Sequence, residues 1–119
     1  MQANYYMMKA LETENLDQGE SYIDDCLQCS RLLQGLMGLS GESGEALDIL
    51  KKHLFQGHPL DREHLALELG DVAWYLAVSA DALGYTLDDI LRMNIDKLHR
   101  RYPNGFAAER SMYRQEDDI

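Results

Sequence analysis

Basic side chains are scarce in this sequence of 119 residues. Eleven Lys and Arg stand against 21 Asp and Glu, which gives a formal net charge of −10. Nucleic acids and anionic membrane surfaces are themselves negatively charged, so an acidic chain is poorly suited to bind either one non-specifically. We therefore expect no nucleic-acid partner and no membrane partner.

Long hydrophobic runs are also missing. No apolar stretch approaches the roughly 20 residues that span a bilayer, and the N-terminal residues lack the basic-then-apolar pattern of a signal peptide. These absences predict a cytoplasmic protein. The length suits one hydrophobic core, so we expect a single domain over residues 1–119.

Cysteine is limited to Cys26 and Cys29, which form a C-x-x-C pair. A second Cys pair and a suitably spaced His pair are missing, and no strand-helix-strand pattern surrounds the motif. Redox chemistry and zinc binding need one of those contexts. We interpret the two cysteines as ordinary thiols on a helix.

No segment alternates in the manner of a β-strand, whereas apolar residues at helical spacing cover most of the chain. A polar loop is expected over Asn15–Glu20, and residues 107–119 are expected to form a loosely ordered tail. The predicted fold class is all-α, with four or five helices. The predicted helices cover a short segment around Tyr5–Leu11, most of Ser21–Leu54, Asp61–Leu83, and a segment from Thr86 to Tyr102 that begins with a capping box formed by Thr86 and Asp89.

Four glycines recur every three residues within the second predicted helix, at Gly35, Gly38, Gly41 and Gly44. Each costs about 1 kcal/mol relative to Ala in a helix interior. They mark either a break, with a new helix starting at an intervening serine, or the close approach of a neighbouring helix or a ligand. We favour a continuous helix with close approach.

Two acidic pairs lie on the second and third predicted helices: Glu42 with Glu45, and Glu68 with Asp71. Residues three apart share one face of a helix. Between the pairs, Gly57 and Pro59 end one helix and Asp61 caps the next. An antiparallel hairpin would bring the four carboxylates together if both acidic faces point the same way.

Four clustered carboxylates repel one another unless protons or a cation neutralise them. An oxygen-only ligand set favours Mg²⁺, with Mn²⁺ as a substitute. Acidic pairs at this spacing are also common on solvated helix surfaces, which is the simpler interpretation.

Positive charge is concentrated late in the chain, with five basic and two acidic residues between Leu91 and Arg110. Asn94, Lys97 and Arg101 form one helical stripe suited to phosphate oxygens. A solvated basic face is the alternative. Lys51 and Lys52, which follow the first acidic pair, could serve the same purpose.

Two further groups have structural explanations that we prefer. Trp74 and Tyr75 lie beside the second acidic pair, where aromatic residues more often fill a core than stack on a base. His53, His58 and His64 are expected to be exposed or to cap helices.

The motifs in their order resemble the MazG-type nucleoside triphosphate pyrophosphohydrolases of the all-α NTP pyrophosphatase superfamily. The similarity covers roughly residues 33–106. It is carried by Leu39-Ser40-Gly41-Glu42-Ser43-Gly44-Glu45-Ala46, by Lys51-Lys52-His53, by Glu68-Leu69-Gly70-Asp71-Val72-Ala73-Trp74-Tyr75, and by Asn94-x-x-Lys97-Leu98-x-x-Arg101-Tyr102-Pro103.

The resemblance implies a MazG-like helical bundle that is completed by pairing as a homodimer or a dimer of dimers. Mg²⁺ would be held by an E-x-x-E…E-x-x-D set, matched here by Glu42, Glu45, Glu68 and Asp71, with Glu42 and Glu45 as the candidate catalytic residues. The implied reaction splits a nucleoside triphosphate between its α and β phosphates. Many members begin the first motif with a tandem Glu, where this chain has Gly41.

The phosphates of the substrate would be bound by Lys52, Asn94, Lys97, Arg101 and Tyr102. Two other classes remain open. A ferritin-like di-iron bundle needs two Glu-x-x-His motifs, and the sequence offers only Asp61-x-x-His64 and Asp96-x-x-His99. A non-enzymatic acidic helical dimer, acting as an adaptor or interaction module, would leave the acids as surface groups.

Overall fold

A computed structural model describes residues 2–14 and 29–114, and within these ranges it contains helices and no strand. The all-α prediction is confirmed. The predicted loop at Asn15–Glu20, the start of the second predicted helix and Cys26 lie outside the described residues. The helices are α1 (Ala3–Leu11), α2 (Ser30–Gln56), α3 (Arg62–Ala82), α4 (Leu87–Arg101) and α5 (Ala108–Met112).

Helices α2 and α3 pack along each other as an antiparallel hairpin, and α4 makes a smaller contact with α3. The start of α2 meets the end of α3 through an ion pair from Arg31 Nη2 to Asp81 Oδ2 at 2.7 Å. At the other end, Gly57 leaves α2 in the left-handed region with φ 72°. This conformation suits glycine, which has no Cβ. The predicted hairpin is therefore present.

Local capping fixes where α3 and α4 begin. Asp61 Oδ1 accepts a hydrogen bond from the backbone N–H of His64 at 2.9 Å. Thr86 and Asp89 exchange hydrogen bonds in the predicted capping box, at 2.9 and 3.1 Å. These side chains satisfy backbone donors that the first helical turn leaves unpaired.

Two of the four helical glycines allow α2 to approach α3 closely. A Cβ at Gly35 would collide with Ser79 Oγ, and one at Gly38 would collide with the Tyr75 ring. Positions 41 and 44 instead face open space. Helix α2 is continuous through all four, so the favoured interpretation holds for its first two glycines and close approach does not explain the other two.

The described part of the chain buries little apolar surface by itself. Ala80 is the only buried hydrophobic residue within it. Large apolar side chains are exposed on the long helices, including Leu47 at 66%, Phe55 at 81% and Trp74 at 61%. The same holds for α1, where Tyr6 is 63% exposed. No helix in the described ranges has the length and apolar character needed to cross a membrane.

The glycine contacts predict different effects of two alanine substitutions. We expect Gly38→Ala to lower the free energy of unfolding by about 1–3 kcal/mol, because the new methyl group overpacks against Tyr75. Gly41→Ala is the matched control. It should be neutral or stabilise by up to about 1 kcal/mol, because alanine favours helix and the space there is open. Urea unfolding followed by circular dichroism at one protein concentration measures both. Equal effects would contradict the packing at Gly38.

Candidate metal site

Three of the four predicted acids converge between α2 and α3. Carboxylate oxygens of Glu42, Glu68 and Asp71 lie within 4.8 Å of one another. Glu42 lies on α2 one turn beyond the glycine contact, and the other two lie on the facing turn of α3. The close helix packing therefore brings these acids together, as the hairpin prediction required.

Glu68 is the only charged residue that is buried in the described ranges, with 9% of its surface exposed. Its Oε1 accepts a hydrogen bond from His64 Nε2 at 3.1 Å. Its Oε2 is buried and has no hydrogen-bond partner. A buried carboxylate oxygen without a partner is costly in a folded protein. This atom needs a proton or a cation.

Glu42 is the acid whose protonation is most affected by the cluster. Its pKa is raised from 4.5 to about 7, first because the protonated form hydrogen-bonds to Glu68 and then through desolvation. The negative charges of Glu45, Glu68 and Asp71 add to the shift. In the absence of a cation, a proton on Glu42 relieves the repulsion between these groups.

Glu45, the fourth predicted ligand, is not a member of the three-residue cluster. It lies one turn beyond Glu42 on α2, is exposed, and acts on Glu42 through its charge. Its position is thus next to the cluster, on the solvent side of α2.

The candidate phosphate ligand Lys52 is paired with an acid in the structure. Lys52 Nζ lies 2.9 Å from Asp48 Oδ2, and Lys51 Nζ lies 3.1 Å from Asp48 Oδ1. Hydrogen bonds from these two lysines lower the pKa of Asp48. The two lysines are exposed and Asp48 is half-buried, so these ion pairs contribute little to stability and can be exchanged for other partners.

The remaining candidate phosphate ligands follow α4 and its end. Asn94 is exposed, and Lys97 is half-buried. Arg101 and Tyr102 are both half-buried, and the Arg101 guanidinium carbon lies 6.0 Å from the centre of the Tyr102 ring. The Tyr102 ring in turn lies 5.3 Å from the ring of Phe106.

The two aromatic residues beside the acids differ in their exposure to solvent. Tyr75 packs over Gly38, in agreement with the core interpretation. Trp74 meets the Tyr75 ring edge-on at 4.9 Å between centroids but is mostly exposed.

The contact between His64 and Glu68 was not predicted from the sequence. His53 has the capping role that was expected, since its Nδ1 donates to the His58 carbonyl oxygen at 2.8 Å. His64 was assigned to the same class, yet its ring contacts the buried acid of the cluster. The spacing could have predicted this contact, because His64 and Glu68 are four residues apart and such pairs meet on one helix face.

The cluster fits a small divalent cation. Mg²⁺ binds oxygen atoms at about 2.0–2.1 Å, which places two ligands of one ion at most about 4.2 Å apart. The 4.8 Å limit of the cluster needs only small side-chain movements to reach that value. The unpartnered Oε2 of Glu68 supplies an oxygen that nothing else in the described chain satisfies. Glu42, Glu68 and Asp71 are therefore the residues that could hold the ion.

The raised pKa of Glu42 predicts how stability depends on pH without divalent cations. Above its ordinary value of 4.5 and up to about 7, the folded state holds this proton more tightly than the unfolded state does. Rising pH therefore removes stability over that window. Glu42→Gln cannot ionise and should lose this part of the dependence. Urea midpoints measured in EDTA from pH 4.5 to 8 would compare the two proteins.

Asp89 provides a contrast of opposite sign. Its pKa is lowered by hydrogen bonds from the backbone and side chain of Thr86. It therefore stabilises the fold above its unfolded pKa, and this stability is lost as the pH falls through its folded pKa. Asp89→Asn should be less stable than the wild type near pH 7.

For Glu42, plots of the urea midpoint against pH that run parallel for the wild type and Glu42→Gln would contradict the predicted coupling of Glu42 to the acidic cluster.

The part of the sequence that forms this site matches a known protein family. A family model described as the MazG nucleotide pyrophosphohydrolase domain matches residues 32–106. No curated protein and no solved structure matches the chain. The family match contains the three converging acids, Glu45 and all the candidate phosphate ligands, and its limits agree with the predicted range of 33–106. Because the match covers more than half of the sequence, the chain belongs to the family of MazG nucleotide pyrophosphohydrolase domains.

Proposed function

We propose that this protein is a Mg²⁺-dependent nucleoside triphosphate pyrophosphohydrolase. It would cleave ribo- or deoxyribonucleoside triphosphates between the α and β phosphates, releasing the monophosphate and pyrophosphate, in the clean-up or balance of the nucleotide pool. The observation that carries the proposal is the convergence of Glu42 and Asp71 on the buried, half-satisfied carboxylate of Glu68, in a chain of this family.

The acids are assigned by their positions. Glu42, Glu68 and Asp71 would hold the cation, and Glu45, whose charge acts on Glu42, would complete the ligand set or accept a proton from the attacking water. Bound Mg²⁺ supplies a Lewis acid that polarises phosphoryl oxygens and offsets their charge. Mn²⁺ has the same preference for oxygen ligands and would substitute for it.

The reaction is a balanced hydrolysis at the α-phosphorus. The oxygen of water forms a bond to that phosphorus as the bond to the bridging oxygen breaks, and pyrophosphate leaves. The water proton passes to a carboxylate oxygen of Glu42 or Glu45. A carboxylate within reach of the attacking water can accept this proton as the bond to phosphorus forms.

Cationic and polar side chains would orient the polyphosphate. Lys97, Arg101 and Asn94 lie on one stripe of α4, with Tyr102 directly after it. Charged donors of this kind form strong hydrogen bonds to phosphate oxygens. Lys52 would exchange its exposed pair with Asp48 for a phosphate. In a chain of net charge −10, these few bases and the cation must offset the negative charge of the substrate.

Two substitutions should affect this reaction differently. Asp71→Asn removes a metal ligand and should lower the rate of pyrophosphate release at least about 100-fold, or about 2.7 kcal/mol. Lys97→Met removes a phosphate contact of about 1.5–3 kcal/mol and should raise KM about 10- to 100-fold. Both are measured by coupled pyrophosphate detection with a panel of standard and modified triphosphates, with Mg²⁺ or Mn²⁺ and with EDTA.

Matched controls keep the charge change but lie away from the assigned groups. Glu63→Gln removes an exposed acid from α3, and Arg100→Met removes an exposed base from α4. Both should behave as the wild type. A wild-type protein that releases no pyrophosphate from any triphosphate with either cation would favour the non-enzymatic adaptor. Orthophosphate as the first product would place cleavage at a different bond.

We further propose that the chain self-associates as a homodimer or a dimer of dimers. The support is the near absence of buried apolar side chains in the described ranges, together with the exposure of Leu47, Phe55 and Trp74 on the long helices. Exposed apolar surface of this extent is costly in water and typical of interfaces.

Light scattering from the purified protein should therefore give two or four times the chain mass of 13.6 kDa. Because Trp74 is the only tryptophan, its fluorescence reports whether its face of α3 is covered. We expect the emission maximum to move to longer wavelength when dilution separates the subunits. A single-chain mass at micromolar concentration would overturn the proposal.

A further inference from the structure

We propose that His64 is a positioning residue, which orients the carboxylate of Glu68 for a divalent cation. The proposal rests on the metal site of the proposed function. Its basis is a hydrogen bond that joins the half-exposed imidazole to the buried acid of the cluster, from His64 Nε2 to Glu68 Oε1 at 3.1 Å.

The two oxygens of Glu68 differ in their surroundings. Oε1 has the histidine as its partner, whereas Oε2 is buried without one. The terminal torsion of a glutamate is broad and sets no preferred plane for the carboxylate. A hydrogen bond to one oxygen fixes that plane. His64 therefore holds Oε1 and leaves Oε2 as the oxygen available to the cation.

The position of His64 is itself fixed by the helix start. Its backbone N–H donates to Asp61 Oδ1 at 2.9 Å, which anchors the residue in the first turn of α3. Glu68 follows one turn later on the same face, so the imidazole reaches the carboxylate without a change in the backbone. The N-cap, the histidine and the acid thus form one chain of contacts from the helix terminus to the cluster.

The hydrogen bond also assigns the tautomer of His64. Ionised Glu68 can only accept, so Nε2 carries the proton and donates it. A neutral imidazole with its proton on Nε2 is sufficient for this role. Groups that hydrogen-bond to metal-ligating carboxylates typically change metal affinity 10- to 100-fold when they are removed.

Titration of the metal-free protein with Mn²⁺ tests the proposal without measuring activity. Free Mn²⁺ is followed by electron paramagnetic resonance. His64→Leu should weaken Mn²⁺ binding about 10- to 100-fold. His64→Gln places an amide donor close to the position of Nε2 and should restore affinity to within about threefold of the wild type. This rescue separates positioning of Glu68 from a general role in folding.

Two more variants complete the design. His58→Leu removes an imidazole from the turn before α3 and should bind Mn²⁺ as the wild type does. His64→Asn keeps an amide that is too short to reach Oε1, and it should bind as weakly as His64→Leu. If the leucine variant does not fold, as judged by circular dichroism, the comparison of Gln with Asn gives the same test.

The outcomes distinguish this inference from the proposed function. Wild-type affinity in folded His64→Leu or His64→Asn would overturn the role of His64 and leave the metal site intact. Equal weakening in the Gln and Asn variants would also overturn it, because the donor would then be irrelevant. Failure of the wild type itself to bind Mn²⁺ at millimolar concentration would overturn the metal site, and this inference with it.

Discussion

The close approach of α2 and α3 is the constraint on which the candidate site depends. Where Gly38 lacks a side chain, the ring of Tyr75 fills the space, and Gly35 accommodates Ser79 in the same way. One turn further along, the same separation of the helices leaves three carboxylates facing each other. Close packing normally gains dispersion energy and excludes water. Here it also moves Glu68 out of water, which makes the charge of that residue expensive.

Contacts within the chain offset the cost of burying the Glu68 charge only in part. His64 satisfies one oxygen of Glu68, and Glu42 retains a proton up to a pH of about 7. Once Glu42 ionises, the buried second oxygen of Glu68 has no hydrogen-bond donor. A fold that needed only stability would gain from an apolar residue at this position, since a buried charge seldom repays its desolvation. The persistence of an incompletely satisfied acid at the hairpin interface is what favours a ligand over a purely structural role.

The sequence predicted those features whose chemistry is local. The ends of the helices follow from Gly57, Asp61 and the pair of Thr86 with Asp89, each of which acts within one turn of itself. The acidic pairs were predicted to converge because their spacing and the hairpin turn are both visible in the sequence. The register of α2 against α3 could not be predicted from the sequence. Which glycines meet a partner, and why Glu45 lies outside the cluster, depend on how far α2 slides along α3. His64 was missed because a side-chain rotamer decides whether it meets Glu68 or solvent.

The uneven burial of the four acids gives them different parts in the proposed chemistry. Glu68 is enclosed and held by a hydrogen bond, so it can change position least when an ion or a substrate arrives. Glu45 is exposed on the next turn of α2 and can move at little cost. A binding site needs the first property and a proton acceptor needs the second, because the acceptor must follow the water as the bond to phosphorus forms. Binding a cation that contacts only the folded hairpin would also stabilise that hairpin by mass action. Relief of the repulsion among the carboxylates would then contribute to the affinity for a doubly charged ion.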